Sequence, residues 1–374
     1  VANMNHFVVK NGKKLRFGYT TGSCATAAAK GAARMLITGD KIDKIQILSP
    51  KGWTLDLALQ DIYIEDNIVR CSVIKDSGDD PDITNGIKIY AEVEKINEDN
   101  IYIYGGIGVG KVTKPGLAIP VGEYAINPTP RKTIIDGVSE ELPKGVGVKI
   151  TISIPEGVDI AKKTFNPKLG IEGGISVLGT TGIVEPMSEE AFKDSLELEL
   201  SMLKEQGIKK VIFSPGNYGR DFLNELSIKE YSHVKTSNFI GFMLDKAVEY
   251  EIEEILWIGH IGKMIKVAGG IFHTHSKIAD GRMEILASRC ALIGAPQSLI
   301  QKIFESTTTD EAIQYIVEDN MEGVFYDIAN KISYNCEMRT YKEVKIGTVI
   351  FSRDHGLLSM CSIAKEMLEE YENE

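Results

Sequence analysis

Long apolar runs are missing from this chain. None approaches the roughly 20 residues that a membrane helix needs, and Val1 to Lys10 holds no apolar core of the signal-peptide kind. The expectation is a cytoplasmic protein with no membrane partner. A basic surplus is missing too: 42 Lys and Arg stand against 53 Asp and Glu, for a formal charge of -11. No overall field therefore attracts nucleic acid, and any anionic ligand must be held by local charges. Cysteine is sparse and unpaired: Cys24, Cys71, Cys290, Cys336 and Cys361 are far apart with no C-x-x-C, which excludes a disulfide framework or zinc site of familiar spacing. Val1-Ala2-Asn3 ahead of Met4 is read as an expression remnant outside the fold.

What is present is a chain of 374 residues, 43% hydrophobic and 25% charged, longer than one core usually supports. Two domains are expected, 1–185 and 186–374. In the first, Cys24 to Ile37 is dense in alanine and reads as a helix, whereas Ile87 to Glu94 alternates with period two and reads as a half-buried strand. Ile45 to Leu48, Ile68 to Ile74, Ile101 to Tyr104 and Val148 to Ile154 read similarly, giving an α+β domain with a largely antiparallel sheet. Gly105 to Pro130 is rich in Gly and Pro and too long for a simple connection, so it reads as a binding loop or irregular wall. The second half alternates helix and strand: Glu189–Gln206, Val211–Phe213, Phe239–Tyr250, Ile255–Ile258, Lys263–Ala268, then helices in Ser298–Phe304 and Asp310–Ile332 and a strand at Lys345–Phe351. That alternation implies parallel βαβ units and a Rossmann-like α/β domain.

Both expected parallel strands end in polar turns flanked by glycine, Gly216-Asn217-Tyr218-Gly219 and Gly259-His260-Ile261-Gly262. Ligands of open α/β sheets lie beyond the carboxyl ends of strands, so together the turns favour one cofactor crevice over two tight turns. Neither matches G-x-G-x-x-G after a strand nor G-x-x-x-x-G-K-[ST]. Tyr19-Thr20-Thr21-Gly22-Ser23 leads into the alanine-rich helix, where Thr21 or Ser23 either caps the helix or offers its hydroxyl to a carboxylate. Asp76, Asp79, Asp80 and Asp82 crowd a turn-prone segment whose spacing fits no calcium loop. They form a solvated loop or supply hydrogen-bond acceptors and a general base. His273 and His275 alternate without a third ligand at a zinc spacing, so no protein-bound metal is expected and contact with a polar substrate is an open reading. Lys111, Lys114, Arg131 and Lys132 lie in or beside the Gly/Pro-rich stretch, whose length favours carboxylate binding over plain solvation.

In combination these motifs resemble the cobalt-precorrin-5B C1-methyltransferase family, CbiD, over nearly the whole chain. The resemblance rests on R-F-G-Y-T-T-G-S-C-A-T-A-A-A from Arg16, D-S-G-D-D-P-D-I-T from Asp76, G-I-G-V-G-K-V-T-K-P-G-L from Gly106 and A-I-N-P-T-P-R from Ala125. It rests further on G-I-S-V-L-G-T-T-G-I-V-E-P-M-S from Gly174, S-P-G-N-Y-G-R from Ser214, and the run from Gly259 to Arg282. It implies transfer of a methyl group from S-adenosylmethionine to C1 of a ring-contracted tetrapyrrole whose cobalt belongs to the substrate. The G-x-G-P-G-D-type loop of other corrin-ring methyltransferases is not found here, so the resemblance names no cofactor contacts.

Gly216, Asn217, Tyr218, Gly219, Gly259, His260 and Gly262 are expected around S-adenosylmethionine, in the domain 186–374. Thr20, Thr21, Ser23, Lys111, Lys114, Arg131, Lys263 and Arg282 are expected on the corrinoid, in a cleft between the domains for which 1–185 forms the wall. Asp79, Asp80, His273 and His275 are expected to orient the ring or move a proton. Transient contact with neighbouring pathway enzymes is a further expectation. Two rival readings are another Rossmann-like nucleotide-binding enzyme and a non-catalytic carrier of corrinoid intermediates.

Overall fold

The computed structural model describes residues 6–10, 12–164, 166–167, 169–216 and 232–373, the last three by backbone alone. The chain divides into two compact units, Val1–Glu189 and Glu190–Glu374, both mixed α/β and each with its own apolar core.

In the first unit a five-stranded sheet runs in the order Gln60–Glu65, Ile68–Ile74, Lys88–Ile96, Gly147–Ser153, Ile101–Gly105. Neighbours are antiparallel except the last pair, which is parallel. The period-two pattern is realised in Lys88–Ile96, where Ile89, Ala91 and Val93 are buried. Across this face lies the helix Thr21–Thr38, which packs on Ile68–Ile74, Lys88–Ile96 and the helix Pro128–Ser139. Its alanines at 25, 27, 28, 29, 32 and 33 are fully buried, so the helix is hemmed in on most sides. Small side chains permit that close approach, and the helix stops at Gly39, whose φ of 74° suits a left-handed cap.

The Gly/Pro-rich stretch is more regular than its composition suggests. Gly108–Val109 pairs in parallel with Gly174–Ile175, and Lys111–Val112 pairs antiparallel with Ile171–Glu172. It then ends in the unexpected helix Pro128–Ser139, entered through extended Asn127 with Pro at the first helical position.

Two other motifs of this unit are laced together backbone to backbone. The Arg16 guanidinium grips Asp76 through two 2.8 Å hydrogen bonds, and Arg16 N donates to Asp79 Oδ2 at 2.6 Å. A Cβ on Gly18 would lie 2.2 Å from the Ser77 carbonyl carbon, and one on Gly78 would lie 2.2 Å from Arg16 O. Beneath them the buried Lys75 ammonium donates to Ser77 Oγ and Asp82 Oδ2, each at 2.5 Å. A buried cation is tolerated because Asp82 is paired with it. Burial alone would raise the Asp82 pKa, but Lys75 and Thr84 outweigh it and hold the carboxyl below its ordinary range.

In the second unit the sheet order is His233–Lys235, Lys210–Ser214, Glu254–His260, Lys345–Ser352, Gly356–Met360, with the first four strands parallel and the last antiparallel. Counted along the chain this is 2-1-3-4-5, not the 3-2-1-4-5-6 order of dinucleotide-binding Rossmann folds. Winding reverses between Lys210–Ser214 and Glu254–His260, which makes their carboxyl ends the topological switch point. Five helices separate the third and fourth strands: Ile261–Ala268, Arg282–Leu292, Gln297–Glu305, Thr309–Glu318 and Gly323–Arg339. The helical stretch expected at Asp310–Ile332 is thus two helices, parted at Asn320 with its φ of 54°. Arg282–Leu292 and the final helix Ser362–Asn373 add to the expected elements.

The expected turn Gly259-His260-Ile261-Gly262 does not exist as a turn. The strand runs through His260 and the next helix begins at Ile261. His260 itself caps that helix, its Nδ1 accepting from Gly262 N at 3.0 Å. Accepting requires an unprotonated Nδ1, and burial lowers the His260 pKa despite Asp310 and Asp354 nearby.

These close approaches and the cap bear directly on stability. Gly78→Ala combines a positive φ of 66° with a backbone clash, whereas Gly39→Ala has open space and bears only the φ penalty of about 1–2 kcal/mol. Urea denaturation should show the Gly78 variant losing more than the Gly39 variant, and equal losses would contradict the close approach. For His260, a folded pKa below the ordinary 6.5 means that the unfolded chain takes up the proton first. Its contribution is complete above about pH 6.5 and is lost as pH falls through the lowered value. His260→Asn keeps an acceptor that does not titrate, so its stability should fall less between pH 7 and 5 than that of the wild type. Identical pH slopes would remove the cap from the explanation.

Candidate active site

The carboxyl ends at the switch point are built from Ser214-Pro215-Gly216 and Gly259-His260. Fully buried Ser214 Oγ is 2.6 Å from His233 Nε2 and donates to Gly216 O at 3.1 Å. Among the described residues, Gly216 has nothing within 4 Å of where a Cβ would point. Gly259 differs: a Cβ there would lie 2.6 Å from Met264 Sδ, so this glycine makes room for core packing. Asn217, Tyr218 and Gly219 lie outside the described residues. His260 Nε2 is 3.8 Å from Asp310 Oδ1, which accepts from Ser352 Oγ at 2.6 Å. These three residues gather at the ends of neighbouring strands and at the head of Thr309–Glu318.

From Gly262 the helix Ile261–Ala268 leads to a cavity of about 320 Å³ lined by Asn238, Gly262, Lys263, Lys266, Thr274, His275, Ser276 and Arg282. Four expected residues thus meet: Gly262, Lys263, His275 and Arg282. The segment 271–275 is pinned along 238–241 by Gly241 N donating to Phe272 O and Thr274 N donating to Asn238 O. Ser237, at a φ of 53°, turns the chain there. Lys263 Nζ reaches back to Pro215 O at 3.3 Å and so bridges cavity and strand ends. Burial lowers the Lys263 pKa first, and the nearby Lys235 and Lys266 lower it further. Lys266 is almost wholly buried, its Nζ donating to Thr274 O and Ala279 O at 3.2 and 2.8 Å. His275 Nδ1 accepts from Lys277 N at 3.1 Å, which leaves Nε2 as the place for the ring proton. His273 packs edge-on to Phe239, with ring centroids 5.0 Å apart, and is not among the residues lining the cavity.

The first unit treats its expected residues differently. Thr20, not Thr21 or Ser23, caps the alanine-rich helix by accepting from Ser23 N at 3.2 Å. Leu178 N donates to Thr21 Oγ1 at 2.8 Å, and Ser23 Oγ donates to Gly182 O at 2.7 Å. Gly22 N also donates to Leu178 O, so the helix start is closed by the chain's own segment Leu178–Gly182. Hydroxyls of Thr21 and Ser23, both buried, thus have partners within the chain itself. Asp79 and Asp80 each use one oxygen on a backbone N–H, that of Arg16 and that of Met187. Lys111 is exposed with its Nζ 5.9 Å from the Tyr124 ring, Lys114 is exposed over Gly170, and Arg131 stands in the first turn of Pro128–Ser139. A cavity of about 310 Å³ under Pro128–Ser139 is lined by Thr26, Lys30, Gln46, Thr54, Asp136 and Glu140 among others, and by none of the expected residues.

Sequence reasoning missed Asn238, Lys266, Thr274, Ser276, Ser214 and His233. Lys266 had a signal, since it follows Lys263 by three residues and shares its helical face. Asn238 had none, because the strand before it is only three residues long.

The model of the CbiD family matches residues 8–186, and that of the CbiD C-terminal domain matches 273–362. A protein of Alkaliphilus metalliredigens named cobalt-precorrin-5B C(1)-methyltransferase is 54% identical over 98% of this chain and 97% of its own. Proteins of the same name from Thermoanaerobacter sp. and Ruminiclostridium cellulolyticum are 50% and 48% identical, covering 95% and 93% of this chain and 98% and 92% of theirs. Among solved structures, the cobalamin biosynthesis protein CbiD of Archaeoglobus fulgidus is 26% identical, with a TM-score of 0.38 over 71% of this chain and 84% of that one. With relatives this similar along nearly its whole length, the chain belongs to the CbiD family.

Proposed function

We propose that the protein transfers the methyl group of S-adenosylmethionine to C1 of cobalt-precorrin-5B, giving cobalt-precorrin-6A and S-adenosylhomocysteine in cobalamin biosynthesis. The observation that carries this reading is 54% identity over 98% of the chain to a protein named for that reaction. The second unit is read as a doubly wound, Rossmann-like cofactor domain, which the switch point between Lys210–Ser214 and Glu254–His260 supports. The first unit, with Lys111, Lys114 and Arg131 exposed or half-exposed, is read as the wall for the acidic corrinoid.

The donor's sulfonium methyl is already activated, so no covalent enzyme intermediate is required. The residues must mainly place and align two reactants, a contribution that reaches about 7–11 kcal/mol in favourable cases. Among the described residues nothing crowds the Cβ position of Gly216 at the crevice, and Gly262 and Lys263 join it to the cationic cavity. Asp79, Asp80, His273 and His275 are the groups proposed to orient the ring or hold a proton. The free oxygen of Asp80 and Nε2 of His275 are the atoms suited to this.

The deciding experiment incubates cobalt-precorrin-5B with S-adenosylmethionine carrying a labelled methyl. Label recovered at C1 is expected, and label remaining on the donor with both ligands bound would end this reading. Gly216→Val should fold normally, as none of the described residues crowds its Cβ, yet bind S-adenosylmethionine more weakly by calorimetry. Undiminished affinity would move the cofactor elsewhere. Asp80→Asn and His275→Gln should slow single-turnover transfer by up to about 10²–10⁴-fold while both ligands still bind. Wild-type rates in both would reduce the two loops to scaffolding.

A further inference from the structure

Among the described residues, the cavity behind Lys263 carries more cations than anions. Lys263, Lys266 and Arg282 line it, and no carboxylate does so among the described residues. Asp280 stands behind two of these cations, bound through both oxygens to Arg282 at 2.6 and 3.0 Å and 4.0 Å from Lys266 Nζ, and so leaves Lys263 without a carboxylate partner among the described residues. Lys263 has three ammonium donors and a single acceptor among the described residues, the Pro215 carbonyl at 3.3 Å. Among the described residues three cations thus share one carboxylate, in a chain whose overall charge is -11. Desolvated ammonium groups are costly unless paired, and the neutral groups at hand only partly offset that cost.

We propose that this cavity is a carboxylate-binding subsite in which Lys263 and Lys266 hold the anion, with Asn238, Thr274, His275 and Arg282 around it. Burial depresses the pKa of both lysines, as expected for desolvated ammonium groups, of which Lys263 has no carboxylate partner among the described residues and Lys266 has only Asp280 at 4.0 Å. The choice of ligand rests on the methyltransferase reading. There the carboxylate belongs either to the methionine end of the donor or to a side chain of the corrinoid, and the same pair of ammonium groups serves both. Lys266 also ties Thr274 and Ala279 to its helix, so Lys263 is the residue to change.

The test compares wild type, Lys263→Met and Lys263→Arg by calorimetry with S-adenosylhomocysteine, 5′-methylthioadenosine, which lacks the carboxylate, and a corrinoid polyacid. Ligand-free Lys263→Met should melt no lower than wild type, since it removes an unbalanced buried charge. It should bind one carboxylate ligand about tenfold or more weakly, the scale of a charge-assisted hydrogen bond, with Lys263→Arg retaining most of the affinity. Loss for S-adenosylhomocysteine but not 5′-methylthioadenosine assigns the subsite to the donor, and loss for the corrinoid alone assigns it to the ring. Equal loss for both nucleosides, or no loss for any ligand in folded Lys263→Met, overturns the subsite. Should Lys263→Met melt well below wild type, Lys263→Gln takes its place in the same titrations, and the same losses support or overturn the subsite. If wild type itself binds none of the three, the methyltransferase reading fails on its own, and succinate at constant ionic strength judges the subsite. Stabilisation of wild type that Lys263→Met lacks supports it, and its absence overturns it.

Discussion

The second unit depends on how a central strand becomes a helix at His260. With no intervening turn, the direction of Glu254–His260 in the parallel sheet dictates where Ile261–Ala268 begins. Two features make the junction possible. Gly259 gives up its side chain so that Met264 can pack at the strand end, and His260 replaces the missing turn by accepting from Gly262 N. Given this start, Lys263 and Lys266 emerge three residues apart on one helical face. Lys263 is thereby within reach of Pro215 on the neighbouring strand end. An ordinary loop here would have left the cations on a mobile surface, where solvent would have screened them.

A different constraint governs the first unit. Its motifs are joined by backbone approach more than by side-chain chemistry. Arg16-Phe17-Gly18 crosses Asp76-Ser77-Gly78, and Thr20 to Ser23 closes against Leu178–Gly182. Polar residues in such crossings are consumed by the chain's own N–H and carbonyl groups, as burial of those groups demands. This is why Thr21 and Ser23, which suit an anion by composition, have little left to offer one. It also explains why Lys75 is buried without being a functional cation in the sense of Lys263: Asp82 already balances it.

Legibility from sequence followed the range over which each signal acts. The alternation of Ile87 to Glu94 and the alanine-rich helix are local patterns, and both elements are found where expected. Gly262, Lys263, His275 and Arg282 were readable as one motif run, and the structure brings all four to the same cavity. The strand read at Val211–Phe213 is found as Lys210–Ser214, but the hydrogen bond that Ser214 makes to His233 required knowing which strands are neighbours. Thr21 and Leu178 are 157 residues apart, and no periodicity in either segment announces the pairing. Helix Pro128–Ser139 was missed for another reason. Glycine and proline before it suggested irregular chain, although Asn127 followed by Pro128 is itself a helix-start signal.

The acidic balance of the chain bears on how the two proposed ligands, an acidic ring and a cationic donor, would be handled together. With a net charge of -11, long-range attraction works against the corrinoid and with the sulfonium. Selectivity for carboxylates must therefore arise at short range, where screening by salt is weak and desolvation strengthens each contact. A pair of lysines at one cavity, Lys263 half-buried and Lys266 buried, meets that requirement, while exposed lysines such as Lys111 and Lys114 meet it only where a ligand itself excludes water. The buried cations should accordingly dominate affinity and be less sensitive to salt. The exposed ones should contribute mainly to encounter and lose their effect as ionic strength rises.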